Sequence, residues 1–180
     1  FFADPSKKIP LVGITGTNGK TTCSLLVAQL MAGLQQKSGV VGTIGYGLVD
    51  SKSIAPVAQQ LGLLTSTGLT TPDPVALQRI LAELVYAGVS SIAIEVSSHS
   101  LQQKRVDGLQ FSHAVFTNLT QDHLDYHGDL ISYGNAKAKL LFATGLKTAV
   151  INLDDEWAKT LSAHAPEPVK IISYSARGIA

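Results

Sequence analysis

Apolar residues fall along this chain in two rhythms, short unbroken runs and longer stretches at helical spacing, and the two alternate. The first run, about Ile9 to Thr15, has almost no polar interruption, as expected of a parallel strand covered on both faces. Leu25, Leu26, Leu30, Met31 and Leu34 follow at helical spacing and predict a helix packed back on the sheet. A second strand is predicted over about Gly39 to Ile44, ending in Gly45-Tyr46-Gly47. From Leu48 to Leu69 the sequence is polar, small and aperiodic, which suits a long loop or a short hairpin.

Thr70-Thr71-Pro72-Asp73-Pro74 opens the next helix, where proline in the first turn costs no hydrogen bond. Leu77, Ile80, Leu81, Leu84 and Val85 bury one face, and Gly88 closes it. A strand over Val89 to Val96 delivers Glu95 near its end, and a short helix is predicted around Leu101 to Val106. Another strand spans Phe111 to Leu119. Asp122 to Phe142 reads as a turn and a helix anchored by Leu130, Ile131, Leu140, Leu141 and Phe142. Strand Thr148 to Leu153, a helix from Asp155 to about His164 and strand Val169 to Tyr174 complete the pattern. Strands alternating with helices predict an α/β fold, a doubly wound and mostly parallel sheet, whose ligands sit beyond the C-terminal strand ends.

Composition narrows this picture. At 180 residues and 45% hydrophobic, the chain suits one well-packed domain. A net charge of +1 gives no basic field for nucleic acid. No apolar run approaches the roughly 20 residues of a membrane helix. The single cysteine, Cys23, excludes an intrachain disulfide and suits a reducing compartment. The chain starts Phe1-Phe2-Ala3-Asp4-Pro5 without an initiator Met, and reads as a domain excised from something larger.

The candidate chemistry lies at the strand ends. Gly16-Thr17-Asn18-Gly19-Lys20-Thr21-Thr22 follows a strand and opens a helix, so glycine-rich backbone N–H groups, the helix N-terminus and Lys20 can together cradle phosphates. Thr21 would then offer its hydroxyl to Mg²⁺. The strict template asks for glycine at Ile14, and an ordinary strand-to-helix turn has the same local look. Glu95 closing an apolar strand is costly to bury unless it meets a cation or a donor, which favours a Mg²⁺ role. Asp122-His123-Leu124-Asp125-Tyr126-His127 has the residues of a metal cluster, but suits a solvated, capped helix start better and makes a weak case for zinc. His99, His113 and His164 read as structural, Lys137 and Lys139 as solvated charge, and Arg105 either as an anion holder or as a surface side chain.

Taken together, Gly13 to Thr22, Thr70 to Pro74, Glu95-Val96-Ser97-Ser98-His99-Ser100-Leu101, Asn118 to Gly128 and Asn135-Ala136-Lys137-Ala138-Lys139-Leu140 resemble the central ATPase domain of the Mur ligases. Within that family they are most similar to the MurE type. The resemblance implies an ATP-dependent ligase of peptidoglycan precursor synthesis, a cytoplasmic and monomeric enzyme. It would add a diamino acid to UDP-N-acetylmuramoyl-L-alanyl-D-glutamate through an acyl phosphate, with meso-diaminopimelate expected ahead of L-lysine. Lys20 and the loop residues Gly16 to Thr22 would hold ATP, Thr21 and Glu95 one Mg²⁺, and His123 with a carbamylated Lys137 a second. Asn152 matches an adenine contact, and Thr70, Thr71, Ser97, Gln103 and Arg105 match positions that touch the acceptor substrate. Leu153 and Gly134 depart from the family's usual residues without touching a proposed ligand. The family's N-terminal uridine-nucleotide domain and C-terminal amino-acid domain fall outside these residues, so the fragment alone is expected not to ligate. Other Mur ligases, folylpolyglutamate synthetase and a non-catalytic P-loop switch are the alternative readings.

Overall fold

A computed structural model describes residues 2–34, 37–49 and 64–178. The strands are β1 Leu11–Thr15, β2 Ser38–Gly42, β3 Gly45–Val49, β4 Ser91–Glu95, β5 His113–Phe116, β6 Thr148–Asn152 and β7 Lys170–Tyr174. They form one sheet in the order β3-β2-β4-β1-β5-β6-β7, parallel except for the β2–β3 hairpin. The helices are α1 Lys20–Gly33, α2 Pro74–Tyr86, α3 Ser98–Gln102, α4 Leu124–His127, α5 Leu130–Ala138 and α6 Trp157–His164, with 3₁₀ turns at Pro5–Lys7 and Lys139–Phe142.

β1 lies between β4 and β5, with Ile14 beside Glu95 on one side and Val115 on the other. The chain leaves β1 toward one edge and leaves β5 toward the other, so the crevice between them is the topological switch point where doubly wound sheets bind ligands. One core, containing Leu11, Leu77, Phe111 and Leu140, fills one face of the sheet, and a smaller one, containing Ile14, Leu25, Ala28 and Val40, fills the other. β4 is buried on both faces throughout, which explains its run of Ile92, Ala93 and Ile94.

Asp73 caps α2, its carboxylate accepting from the amides of Val75 and Ala76 at 3.0 Å each. That helix buries Leu77, Ile80, Leu81 and Leu84 as their spacing predicts. α1 departs from its pattern. Ser24, Leu25, Ala28 and Ala32 face the sheet, while Leu26, Leu30 and Leu34 are exposed. Small residues win this face because α1 crosses close over β2 and β4, both of whose strands are buried throughout. β3 is absent from the sequence pattern, since Gly45-Tyr46-Gly47 looks like a turn. Backbone pairing to β2 makes it a strand, and Gly45 at φ 119 approaches within 2.9 Å of the Thr65 carbonyl carbon, measured from where its Cβ would stand. Of the loop expected over 48–69, residues 50–63 lie outside the described residues.

The helix after Glu95 starts earlier than expected, at Ser98, because Ser97 caps it through a hydrogen bond from the Ser100 amide. The single helix expected between Asp122 and Phe142 is three short segments, because Gly128 at φ 84 ends the first turn and Asp129 caps the next. Leu140 and Leu141 anchor that region; Ile131 and Phe142 are exposed.

Candidate functional site

The turn after β1 is held from below. The Thr17 amide donates to the Asn118 carbonyl at 2.8 Å, the Asn18 amide to the Asn118 side chain at 2.9 Å, and the Thr117 hydroxyl to the Asn18 carbonyl at 2.7 Å. Gly16, at φ 144, sits so close to the segment leaving β5 that a Cβ there would stand 3.0 Å from the Asn118 carbonyl oxygen. Glycine is therefore required by a close approach as well as by backbone angle. Gly19, at φ 84, then turns the chain into α1, whose first residues are Lys20, Thr21 and Thr22.

Lys20 folds back, its Nζ donating to the carbonyls of Gly16 at 3.0 Å and Thr17 at 2.8 Å. Lys137 reaches the Gly16 carbonyl from α5, at 2.8 Å. Its side chain is 1% exposed and its ammonium lies 4.3 Å over the Tyr133 ring. The expectation of a solvated charge at Lys137 is thus corrected: Tyr133, Ala136 and Lys137 form the buried stripe of α5. Lys139 keeps that expectation, exposed and donating to Gln102 at 2.6 Å. Burial, and secondarily the Lys20 charge, push the Lys137 pKa down to about 7. Burial also lowers that of Lys20, partly offset by Glu95 and Asp122.

Glu95, 1% exposed, faces the same turn. Its Oε2 accepts from the Thr21 hydroxyl at 2.9 Å and the Thr43 hydroxyl at 3.1 Å, and its Oε1 from the Thr43 amide at 2.9 Å. Every donor here is neutral. A buried carboxylate stabilised by neutral donors beside a hydroxyl at a helix N-terminus suits a hard divalent cation with oxygen ligands, so Thr21 and Glu95 fit the Mg²⁺ expected of them.

A cleft of about 270 Å³ opens beside this pair, lined among others by Lys20, Thr70, Thr71, Ser97, Arg105, His123 and Lys137. The structure thereby brings together residues drawn from five separate sequence motifs. Arg105 donates to the Thr71 carbonyl at 3.0 Å and, through Nε at 2.8 Å, to Gln103, so Gln103 reaches the cleft through Arg105. Thr71 in turn donates to the Glu95 carbonyl at 2.8 Å. His123, at φ 52, begins α4 and stacks edge-on with His99, and His99 also lines the cleft.

Among the described residues no group of three or more His, Cys, Asp or Glu side chains is placed to hold a metal. Asn152 stands apart from the cleft, at the end of β6, donating to the Thr117 carbonyl at 2.9 Å and accepting from the Asp154 amide at 3.0 Å. One amide proton and one lone pair remain for a ligand. A larger hollow of about 530 Å³, lined by Leu119, Gly134, Trp157 and neighbouring residues, includes none of the predicted site residues.

Sequence reasoning missed Thr43 and Tyr133. Tyr133 is four residues before Lys137, the helical spacing that places both on one face, so that signal was available. Thr43 gave none, because its role depends on the unrecognised hairpin.

Comparison with known proteins shows the family and the fold. Residues 14–180 match the Mur ligase middle domain. The chain belongs to the Mur ligase family. Among curated relatives, this Mur ligase domain is 45% identical over 179 residues to the UDP-N-acetylmuramoyl-L-alanyl-D-glutamate--2,6-diaminopimelate ligase of Coxiella burnetii, covering 99% of the chain and 34% of that protein. It is 47% identical over 175 residues to the ligase of the same name from Pseudomonas aeruginosa, covering 97% of the chain and 33% of that protein. A solved structure of a ligase of this name superposes with a TM-score of 0.80 at 39% identity, over 98% of the chain and 34% of that structure. The chain thus spans about a third of the length of these relatives. A Mycobacterium tuberculosis folylpolyglutamate synthase structure, at 18% identity and a TM-score of 0.64 over 95% of the chain and 44% of that structure, shares the fold. No described helix of this Mur ligase domain is long and apolar enough to cross a membrane.

Proposed function

We propose that this domain is the ATP-binding centre of a cytoplasmic, monomeric ligase that joins meso-diaminopimelate to UDP-N-acetylmuramoyl-L-alanyl-D-glutamate. The observation that carries the reading is the convergence on Gly16 of Lys20 and the buried Lys137, beside Glu95 and at the edge of a cleft lined by Thr70, Ser97 and Arg105. Lys20, with no carboxylate in ion-pair distance among the described residues, suits an anion at the turn, and the buried Lys137 reaches the same turn from α5. The names of the relatives supply the substrates, and L-lysine is the less favoured amino acid.

A carboxylate is a poor electrophile because its leaving group would be oxide. The acceptor carboxylate attacks the γ-phosphorus of ATP, forming an acyl phosphate and releasing ADP; the amine of the amino acid then attacks the acyl carbon, and the tetrahedral adduct expels phosphate to leave the amide. The difficulty lies in bringing two anions together, and fixed cations and donors are the remedy. Lys20 and the loop Gly16 to Thr22, through the amides not already given to Asn118, hold the phosphates, Arg105 with Thr70, Thr71 and Ser97 orients the acceptor, Gln103 steadies Arg105, and Asn152 offers its remaining amide valences to adenine. Thr21 and Glu95 would hold one Mg²⁺, His123 and Lys137 a second. Bound Mg²⁺ supplies neutralisation of the charge between the reacting anions.

Lys137 would serve that second ion as a carbamate. Its neutral amine adds to CO₂, forming an N–C bond and giving up one proton to solvent, which turns a cation into an anionic ligand. A buried amine whose pKa stands about 7 is neutral in part at physiological pH, as that addition requires. The uridine-nucleotide and amino-acid domains belong to the rest of the full-length protein, and the domain alone does not ligate.

Full-length protein given ATP, Mg²⁺, UDP-N-acetylmuramoyl-L-alanyl-D-glutamate and meso-diaminopimelate should release phosphate in step with tripeptide formation. Phosphate release with a folate acceptor and none with the muramoyl-dipeptide would overturn the assignment; a requirement for L-lysine would correct only the amino acid.

A further inference from the structure

The turn between β2 and β3 does more than reverse the chain. Gly42 and Thr43 close around the Glu95 carboxylate: a Cβ on Gly42 would stand 2.6 Å from the Glu95 Cδ and 2.8 Å from its Cγ, so only glycine leaves room there. Thr43 then supplies two of the three hydrogen bonds that the Glu95 carboxylate receives from described residues, from its amide to Oε1 and from its hydroxyl to Oε2. The third comes from Thr21. The Thr43 hydroxyl also lies 3.0 Å from the hydroxyl of Thr70, which lines the cleft.

A hydroxyl has one proton. The Thr43 hydroxyl is placed to donate either to Glu95 Oε2 or to the Thr70 hydroxyl, and the carboxylate is the stronger acceptor, so the proton stays on Glu95 while Oε2 keeps its charge. Thr70 then receives no proton from Thr43, and its lone pairs are left as acceptors toward the cleft. Anything that draws the Oε2 charge away from Thr43 frees the Thr43 proton for Thr70, which then accepts it and turns its own proton outward as a donor. We infer that Thr43 is a positioning residue that aims Glu95 at Thr21 and couples the occupancy of the nucleotide–metal side to the hydrogen-bonding polarity of Thr70 on the acceptor side. The inference rests on the proposed placement of the nucleotide at the β1–α1 turn and of the acceptor at Thr70. It adds a residue to that reading, and a thermodynamic link between its two sites.

Linkage of this kind is reciprocal, so it can be read without turnover. In the full-length protein, the affinity for a non-hydrolysable ATP analogue is measured by calorimetry across Mg²⁺ concentrations, with and without saturating UDP-N-acetylmuramoyl-L-alanyl-D-glutamate. Wild type should bind the analogue about five-fold or more tightly when the acceptor is present. Thr43→Val keeps the shape of the side chain, and should lose that enhancement and raise the Mg²⁺ concentration needed for half-maximal binding. Thr43→Ser restores the hydroxyl and should return both. Thermal melts establish that each variant is folded. An enhancement and Mg²⁺ requirement unchanged in Thr43→Val would overturn the role of Thr43, as would equal loss in Val and Ser variants, which marks a packing effect. Wild type that binds neither ligand would instead overturn the placement of the two sites, and the inference with it.

Discussion

Lys20 and Lys137 donate to the same acceptor, the carbonyl of Gly16, at 3.0 and 2.8 Å, one from α1 and one from α5. Two ammonium groups meeting at one carbonyl repel each other, and burial removes the water that would screen them. The deeper group gives way: Lys137, with Lys20 as the second cause after burial, is the one driven down to about pH 7.

That shift has a sign in stability. Lysine titrates at 10.5 as a free side chain, so between about pH 7 and 10.5 the unfolded chain holds a proton that folded Lys137 has released. Stability contributed by this residue therefore rises with pH through that window, and the cost of burying its charge is fully present below it. Lys137→Met keeps the stem and removes the ammonium. In CO₂-free buffer it should be more stable than wild type by about 1–4 kcal/mol near pH 6.5, and the gap should close toward pH 10. Denaturant titrations at four pH values measure it. A gap independent of pH would show that packing, not charge, sets the difference.

The same residue should carry the opposite effect on activity. If Lys137 serves as a carbamate, full-length Lys137→Ala loses ligation by about 100-fold or more, as removal of a fixed charge at a reacting centre does. A short carboxylate such as formate or acetate should restore part of it by occupying the space left. Wild type equilibrated with ¹³CO₂ should show a carbamate carbon resonance that the alanine variant lacks. Full activity in Lys137→Ala, or a resonance that survives it, would refute the role.

How far the sequence foretold this arrangement depends on what each residue answers to. The order of strands and helices, the P-loop context and the place of Glu95 follow from local rhythm, since runs of apolar residues and glycines act over a few positions. Lys137 looked like surface charge because its partner, the Gly16 carbonyl, lies 121 residues away and no periodicity reports it. Thr43 was invisible for a related reason: the strand that makes its turn a hairpin is rich in glycine and is formed by pairing, not by propensity. On α1 the leucines misled, because close approach to the sheet selected Ala28 and Ala32 over larger neighbours.

The two faces of α1 can be told apart by substitution. Leu30 is 71% exposed, so Leu30→Lys should change stability by no more than about 0.5 kcal/mol. Ala28 is 0% exposed against the sheet, and Ala28→Leu should cost about 1–3 kcal/mol by overpacking. Thermal or denaturant unfolding of the two variants decides it, and the reverse ranking would mean that the leucine stripe, and not the alanines, meets the sheet.

Gly16 offers a sharper test, because its constraint has two separable parts. A side chain there meets a backbone angle of φ 144, strained for any residue with a Cβ, and it also collides with the Thr117 hydroxyl. Thr117 is no passive neighbour, since that hydroxyl ties the segment leaving β5 to the Asn18 carbonyl at 2.7 Å. Gly16→Ala should therefore cost about 1–3 kcal/mol and weaken binding of an ATP analogue, as the loop is pushed off β5. Thr117→Ala alone loses one hydrogen bond, for about 1 kcal/mol. Combined, the two should cost less than their sum by about 0.5 kcal/mol or more, because the second removes the atom the first collides with. Strict additivity in the double-mutant cycle would assign the whole requirement for glycine to its backbone angle, and would free β5 of any part in shaping the phosphate cradle.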